Sequence, residues 1–174
     1  MCLGNFMNRL FLLLAALVLT SCTATQKSSE YSSEQLQGVW TLKYNGQGNY
    51  SFSQLAFTSD GRKCVLAYDF DRAGNISMDY YLNSFVIEDG VLITEVGFSS
   101  TQYLPAGYII KDRIDRITSN EFDVFMIQPA GSLPEKHQRL SGVDPEAICK
   151  VVSGYAHNKS IMKDNAQKRR KASY

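Results

Sequence analysis

The sequence predicts a mainly β protein: a small antiparallel meander barrel of about 7–8 strands with a C-terminal helix. Three observations predict it. Short alternations of apolar and polar residues recur through the middle of the chain, most of them closed by a Gly, Asn or Asp turn signal. The chain has ten Tyr, nine Phe and one Trp, concentrated in that same region, and aromatic side chains suit a pleated surface. No segment of helical length separates the alternating runs, so parallel strands, which need crossover connections, are excluded.

Taken in order, residues 39–44 form a first strand, closed by Asn45-Gly46-Gln47-Gly48-Asn49. Residues 50–58 follow and end at Ser59-Asp60-Gly61, a hairpin signal. In residues 63–71, Cys64, Leu66, Tyr68 and Phe70 share one face, while Lys63, Val65, Ala67 and Asp69 share the other. Ala73-Gly74-Asn75 turns the chain into residues 76–87, where Ile76, Met78, Tyr80 and Leu82 share a face. Glu88-Asp89-Gly90 leads into 91–98, and 99–107 reads as a rim loop. Residues 108–118 and 121–128 form a last hairpin around Ser119-Asn120. That is seven legible strands, with residues 133–142 left as a loop. Asp144-Pro145-Glu146 then has the form of a helix start: an N-cap, a first-turn proline and a dipole-favoured acid. Ile148, Val151, Val152 and Tyr155 make one apolar stripe on a helix of about three turns, placed to pack against the outside or mouth of the barrel.

The N-terminal segment carries a different message. Every residue from Leu10 to Leu19 is apolar, and Arg9 precedes them. Ten residues rise only about 15 Å as a helix, half of what a membrane span needs, so the stretch fits the core of an export signal. Either Met1 or Met7 serves as the start. The stretch ends in Leu19-Thr20-Ser21-Cys22, which resembles the lipobox of bacterial lipoproteins. The resemblance implies cleavage between Ser21 and Cys22, acylation of the Cys22 thiol, and a lipid-anchored envelope protein. The next residue is Thr23 rather than Asp, which by the sorting rule of such lipoproteins implies the outer membrane, facing the periplasm. The expected organisation is a signal peptide over 1–21, a Ser/Thr-rich flexible tether over 22–35, a barrel domain with its helix over 36–158, and a basic, unstructured tail over 159–174.

Charge excludes one class of partner. Arg9 is the only charge in residues 1–21, so the mature chain carries 17 basic and 17 acidic residues. Six of the basic residues fall within the last sixteen positions, which leaves the body near −5. An acidic body is unsuited to nucleic acid, whose phosphates need a basic face. The tail cluster Lys168-Arg169-Arg170-Lys171 reads as solvated, with anionic lipid head groups as the sharper alternative.

Leu36-Gln37-Gly38-Val39-Trp40 places Gly-x-Trp, through Gly38 and Trp40, at the start of the first strand. This resembles the opening motif of the lipocalin-like (calycin-type) barrels, in which the Trp closes the barrel base. The resemblance extends over residues 36–155 in outline: hairpin strands, then a helix. It implies an arginine stacked on Trp40, with Arg113, Arg116 and Arg139 as candidates, and binding of a small apolar ligand inside the barrel. The alternative it leaves open is a protein-interaction module, either an envelope assembly factor or a periplasmic hydrolase inhibitor, working through a loop such as 99–107 or 133–142.

The remaining chemistry is sparse. With Cys2 removed and Cys22 acylated, Cys64 and Cys149 are left, and in an oxidising compartment they are expected to form a disulfide tying the third strand to the helix. His137 and His157 lie in different elements and read as surface residues, with no metal site. Asp69, Asp71 and Asp79 gather near one turn; a cation or glycan role is conceivable there, but solvated strand-end residues are expected. No Gly-x-Ser-x-Gly and no phosphate-cradling loop occurs, so no catalytic residue and no cofactor are assigned. The expectation is a non-enzymatic binding protein.

Overall fold

A computed structural model describes residues 31–45, 50–130 and 134–172, with side chains described except at 44, 45, 50 and 163–172. Residues 1–30, which include the expected signal segment, Ser21, Cys22 and most of the expected tether, lie outside the described residues. Eight strands pair antiparallel in chain order: β1 (Gly38–Asn45), β2 (Tyr50–Phe57), β3 (Arg62–Phe70), β4 (Ile76–Glu88), β5 (Val91–Ser99), β6 (Ile109–Ile117), β7 (Glu121–Gln128) and β8 (Glu135–Leu140). β8 returns to β1, with Val39, Trp40 and Thr41 opposite Leu140, Arg139 and Gln138, and the barrel closes. Such a barrel is consistent with the calycin-like architecture, and closure leaves no sheet edge along the paired rows. A short helix, α1 (Ser33–Leu36), precedes β1, and α2 (Pro145–Ala172) follows β8.

Seven strands match the runs of alternation to within a residue or two. The eighth, β8, occupies the stretch 133–142 that the sequence leaves as a loop. Its inward face carries Glu135, His137 and Arg139, so no apolar alternation marks it.

The wall separates two cores. Inside, Leu36, Trp40, Leu55, Phe57, Phe85, Leu92, Ile114, Phe122 and Val124 pack together. The rings interlock at the floor: Phe57 meets Phe85 edge-on at 5.1 Å and Phe122 at 6.0 Å, and Phe122 lies 5.6 Å from Trp40. Outside, Val39, Ala56, Cys64 and Leu66 pack with Cys149 and Val152 of α2, flanked by Tyr80, Leu82 and Ile148. The apolar face of β3 (Cys64, Leu66 and Tyr68) therefore points out of the barrel, under the helix, and the face bearing Lys63 and Val65 points in.

α2 differs from expectation in length and in one contact. Its helical backbone runs on through the basic segment to Ala172. Val151, placed on the apolar stripe by spacing, is exposed, and Cys149 takes its place against the wall. The helix is held at Arg62–Glu146 (2.7 Å), at Tyr155 against Tyr80 (5.4 Å), and by a hydrogen bond from Lys159 to the Ser100 carbonyl. The Cys64–Cys149 disulfide lies buried beneath it, with Cα atoms 5.2 Å apart and 85 residues between them in sequence. Closing a loop of that length stabilises by about 4 kcal/mol in the chain-entropy account.

The end of the tether is not free chain. Gln35 accepts the Ser32 N–H at 2.7 Å to start α1, and Tyr31 packs against the inner core and donates its hydroxyl to the Asp115 carbonyl. α1 delivers Leu36 to the floor, where the Leu36 carbonyl accepts the Trp40 indole N–H at 2.7 Å. Of the three candidate arginines, Arg139 lies on the indole, its guanidinium carbon 4.1 Å from the ring centroid. The same guanidinium donates to the carbonyls of Gln35, Gln37 and Ser119. Arg113 instead pairs with Asp115 and Arg116 with Glu121 and Asp123.

This contact explains the glycine of Gly-x-Trp. Gly38 sits at φ +125°, and a Cβ there would fall 2.4 Å from Arg139 Nη1. Gly38→Ala is expected to lower the free energy of unfolding by about 2 kcal/mol through backbone strain and displacement of the guanidinium. Urea denaturation followed by the fluorescence of Trp40, the single tryptophan, measures it.

Candidate functional site

Above the aromatic floor the barrel interior becomes polar. By register Lys63 on β3 stands opposite Asn83 on β4, Asp112 on β6 opposite Leu92, His137 on β8 opposite Phe122, and Glu135 opposite Val124. All therefore point inward with Thr94 of β5. Lys63, Asn83, Thr94, Asp112 and His137 are buried, and Glu135 is half-buried. Such residues rarely enter a core without partners, because an unpaired buried polar group costs about 1–3 kcal/mol.

Lys63 is the centre of the cluster. Its ammonium donates to Thr94 Oγ1 at 3.3 Å and lies 5.7 Å from the centroid of the Phe57 ring. Burial lowers the Lys63 pKa from the usual lysine value, and the carboxyls of Asp112 and Glu135 pull the other way. Burial raises the pKa of Asp112, offset by Lys63. Glu135 is raised by burial and further by Asp112, again offset by Lys63. The charge of Lys63 thus acts on both carboxyls.

His137, expected at the surface, is buried at 1% exposure. Its ring stacks 5.0 Å from Phe122, and Nδ1 lies 3.2 Å from the Phe122 carbonyl. A carbonyl only accepts, so Nδ1 carries the proton and Nε2 presents a lone pair. Burial, reinforced by Lys63, lowers the pKa to about 4, which leaves the ring neutral at pH 7. Nε2 faces Glu135 Oε2 at 3.5 Å, outside hydrogen-bond geometry, and has no hydrogen-bond partner. Asn83 Oδ1 is likewise buried without one. Two acceptors inside the barrel are therefore unmet.

The interior differs from end to end. Leu36, Trp40, Phe57 and Phe122 at the floor are sealed. Leu42, Val65, Tyr81, Ile110 and Met126 face the same interior but keep partial exposure. The inward face thus passes from a sealed aromatic floor, through buried polar residues, to apolar residues that keep partial contact with solvent.

Other sequence candidates play local roles. Asp71 accepts the backbone N–H groups of Ala73 and Asn75 and the Asn75 side-chain amide, fixing its own turn. Asp79 accepts from Ser100, and Asp69 from Ser51. Among the described residues no cluster of His, Cys, Asp or Glu could hold a metal ion. His157 is exposed, as expected. On the outer surface, a polar groove of about 280 Å³ runs along β1, β8 and β7, lined by Thr41, Lys43, Lys136 and Gln138 among others.

Sequence reasoning missed Lys63, Asn83, Thr94, Asp112 and Glu135 as a group. Parity alone puts Lys63 opposite the apolar face of β3, which reads as the outside until α2 is seen to cover that face. The chain matches no protein-family model, and no curated protein matches it in sequence.

The His137 environment carries a pH signature. Between about pH 6.5 and 4 the unfolded chain takes up a proton that the folded ring refuses, so stability is complete above this window and falls as the pH drops through it. The loss from this residue reaches about 3 kcal/mol. Asp112 and Glu135, with raised pKa values, oppose it by favouring the protonated fold. Chemical denaturation of the parent and of His137→Gln across this range isolates the histidine: the variant's stability is expected to fall less steeply below pH 6.5.

Proposed function

We propose that the protein is a non-enzymatic binding module of the cell envelope. It is a lipoprotein held at the membrane through acylated Cys22, with a lipocalin-like barrel that takes a small, largely apolar molecule into its open half. The observation that carries the binding role is the contrast along the barrel axis. The floor is sealed by Trp40, Phe57 and Phe122, while the inward-facing Leu42, Val65, Ile110 and Met126 remain partly wetted. Apolar surface held in a concave, pre-formed wall is what a small hydrophobic guest displaces water from.

The anchoring part rests on sequence: the apolar run 10–19, the small residue Ser21 and the thiol of Cys22. Diacyl and amide-linked chains on one residue bury enough methylene groups to hold a soluble domain at a bilayer. Thr23 after the cysteine supports the outer membrane, with the barrel facing the periplasm. Gly38 beneath the Arg139 guanidinium, and Trp40 capped by it, support the lipocalin-like assignment.

One observation favours a second reading, contact with an envelope protein. The β1–β8 ladder stops after three residue pairs, so residues 42–45 of β1 lie beyond it, beside the outer polar groove. An extended segment of a partner could add to such a strand.

Two measurements test the main reading. Labelled palmitate is expected to be incorporated by the parent chain in a bacterial host and not by Cys22→Ser; labelling of the variant rejects the anchor. The mature-length chain, produced with Ser at position 22 behind an ordinary cleavable export signal, is expected to bind the apolar dye N-phenylnaphthylamine saturably. A fluorescence response that stays linear in dye rejects the well.

A further inference from the structure

The unmet acceptors of the polar layer say what kind of molecule the well would accept, granted that it binds a guest as proposed above. We infer that the layer formed by Lys63, Asn83 and His137 is a receptor for an uncharged, hydroxyl-bearing head group, so that the guest is a neutral amphiphile such as a long-chain alcohol or a monoacylglycerol.

Hydrogen-bond polarity makes the first argument. His137 Nε2 and Asn83 Oδ1 are both acceptors, both buried and both without a partner. His137 cannot relieve this by moving its proton, because Nδ1–H is committed to the Phe122 carbonyl. A head group that meets these atoms must bring O–H or N–H donors. Lys63 supplies the converse: its ammonium has three donors, and one goes to Thr94 Oγ1. Lys63 and Asn83 are direct register partners across β3 and β4, so a donor and an unmet acceptor issue from neighbouring inward positions. A hydroxyl is both donor and acceptor and fits that pair.

Charge makes the second argument. Lys63 is already faced by Asp112 from β6 and Glu135 from β8. A carboxylate or phosphate head would be a third acid group beside one cation, and it would offer no proton to Asn83 or His137. An ammonium head would stand against Lys63. A neutral hydroxyl avoids both penalties, which in a partly desolvated interior are larger than at the surface.

The walls complete the fit. Leu42, Val65, Ile110 and Met126 line the same interior as the polar layer, so an acyl or alkyl tail has apolar contact on several sides.

Competition against the dye N-phenylnaphthylamine separates this inference from the reading it rests on. The protein is the unacylated mature-length chain; the competitors are decanol, decyl methyl ether, decanoate and decylammonium. Decanol is expected to displace the dye at a concentration at least about tenfold lower than the ether, which accepts but cannot donate, and lower than either ion. Asn83→Leu, close in size, is expected to erase the preference for decanol over the ether. In the parent, nitrogen NMR is expected to show the His137 Nε2 resonance moving upfield as its lone pair takes a hydrogen bond from decanol. Equal displacement by decanol and ether, with an unmoved Nε2, overturns the inference and means that only water serves the layer. Preferred displacement by decanoate overturns it in favour of a carboxylate receptor at Lys63. Dye that binds while no head group is preferred leaves the well standing without this receptor. Absence of both dye binding and any Nε2 response removes the well and the receptor together.

Discussion

The fold turns on the stacking of Arg139 on Trp40. A meander of eight strands closes only if its last strand finds its first, and here the ladder joining them is three residue pairs long. Backbone pairing that short leaves closure to the side chains. Arg139 sits at the centre of the joint, directly opposite Trp40, and spans from the ring to three carbonyls on α1, its following turn and the β6–β7 turn. One guanidinium thus links the barrel's two ends in sequence, satisfies the C-terminal carbonyls of the floor helix and covers the floor indole. Arginine suits this position because its planar, permanently charged fork stacks and donates at once, which lysine cannot. Gly38 is the accommodation the backbone makes for it.

With the floor sealed and the joint made, the wall takes different chemistry on its two sides. β2, β3 and β4 present apolar residues outward to α2, while their inward positions carry both hydrophobic residues and Lys63 and Asn83. A strand with one polar and one apolar face normally turns the apolar face inward. α2 and its disulfide remove the need by making the outside of the wall a second interior. That arrangement lets charged groups occupy the barrel without sacrificing core area, and the unmet acceptors follow from it.

Legibility in the sequence tracks this division. Alternation with turn signals located seven strands, because β1–β7 each carry apolar residues on at least one face and all but β5 and β7 end at a turn with Gly, Asn or Asp. Elimination paired Cys64 with Cys149, and Asp144-Pro145-Glu146 marked the helix start. β8 was illegible because Glu-Lys-His-Gln-Arg-Leu has no apolar face at all; its inward residues are held by a carbonyl, a ring and an indole that lie far away in sequence. His137 seemed superficial for the same reason. The polar layer was hidden by a face reversal: nothing in the local pattern of β3 says that its apolar side belongs to a helix some eighty residues downstream.

The placement of α2 at the end of the chain has a consequence for biogenesis. A ribosome finishes every strand before it makes the helix that shelters them, so β2–β4 exist for a time with both surfaces greasy and Cys64 without its mate. A nascent or truncated product ending near Gly142 would offer Val39, Ala56, Leu66 and Tyr80 as a bare adhesive patch. The barrel is therefore complete as a sheet before it is soluble as a particle, and premature termination should yield aggregates rather than a smaller working protein.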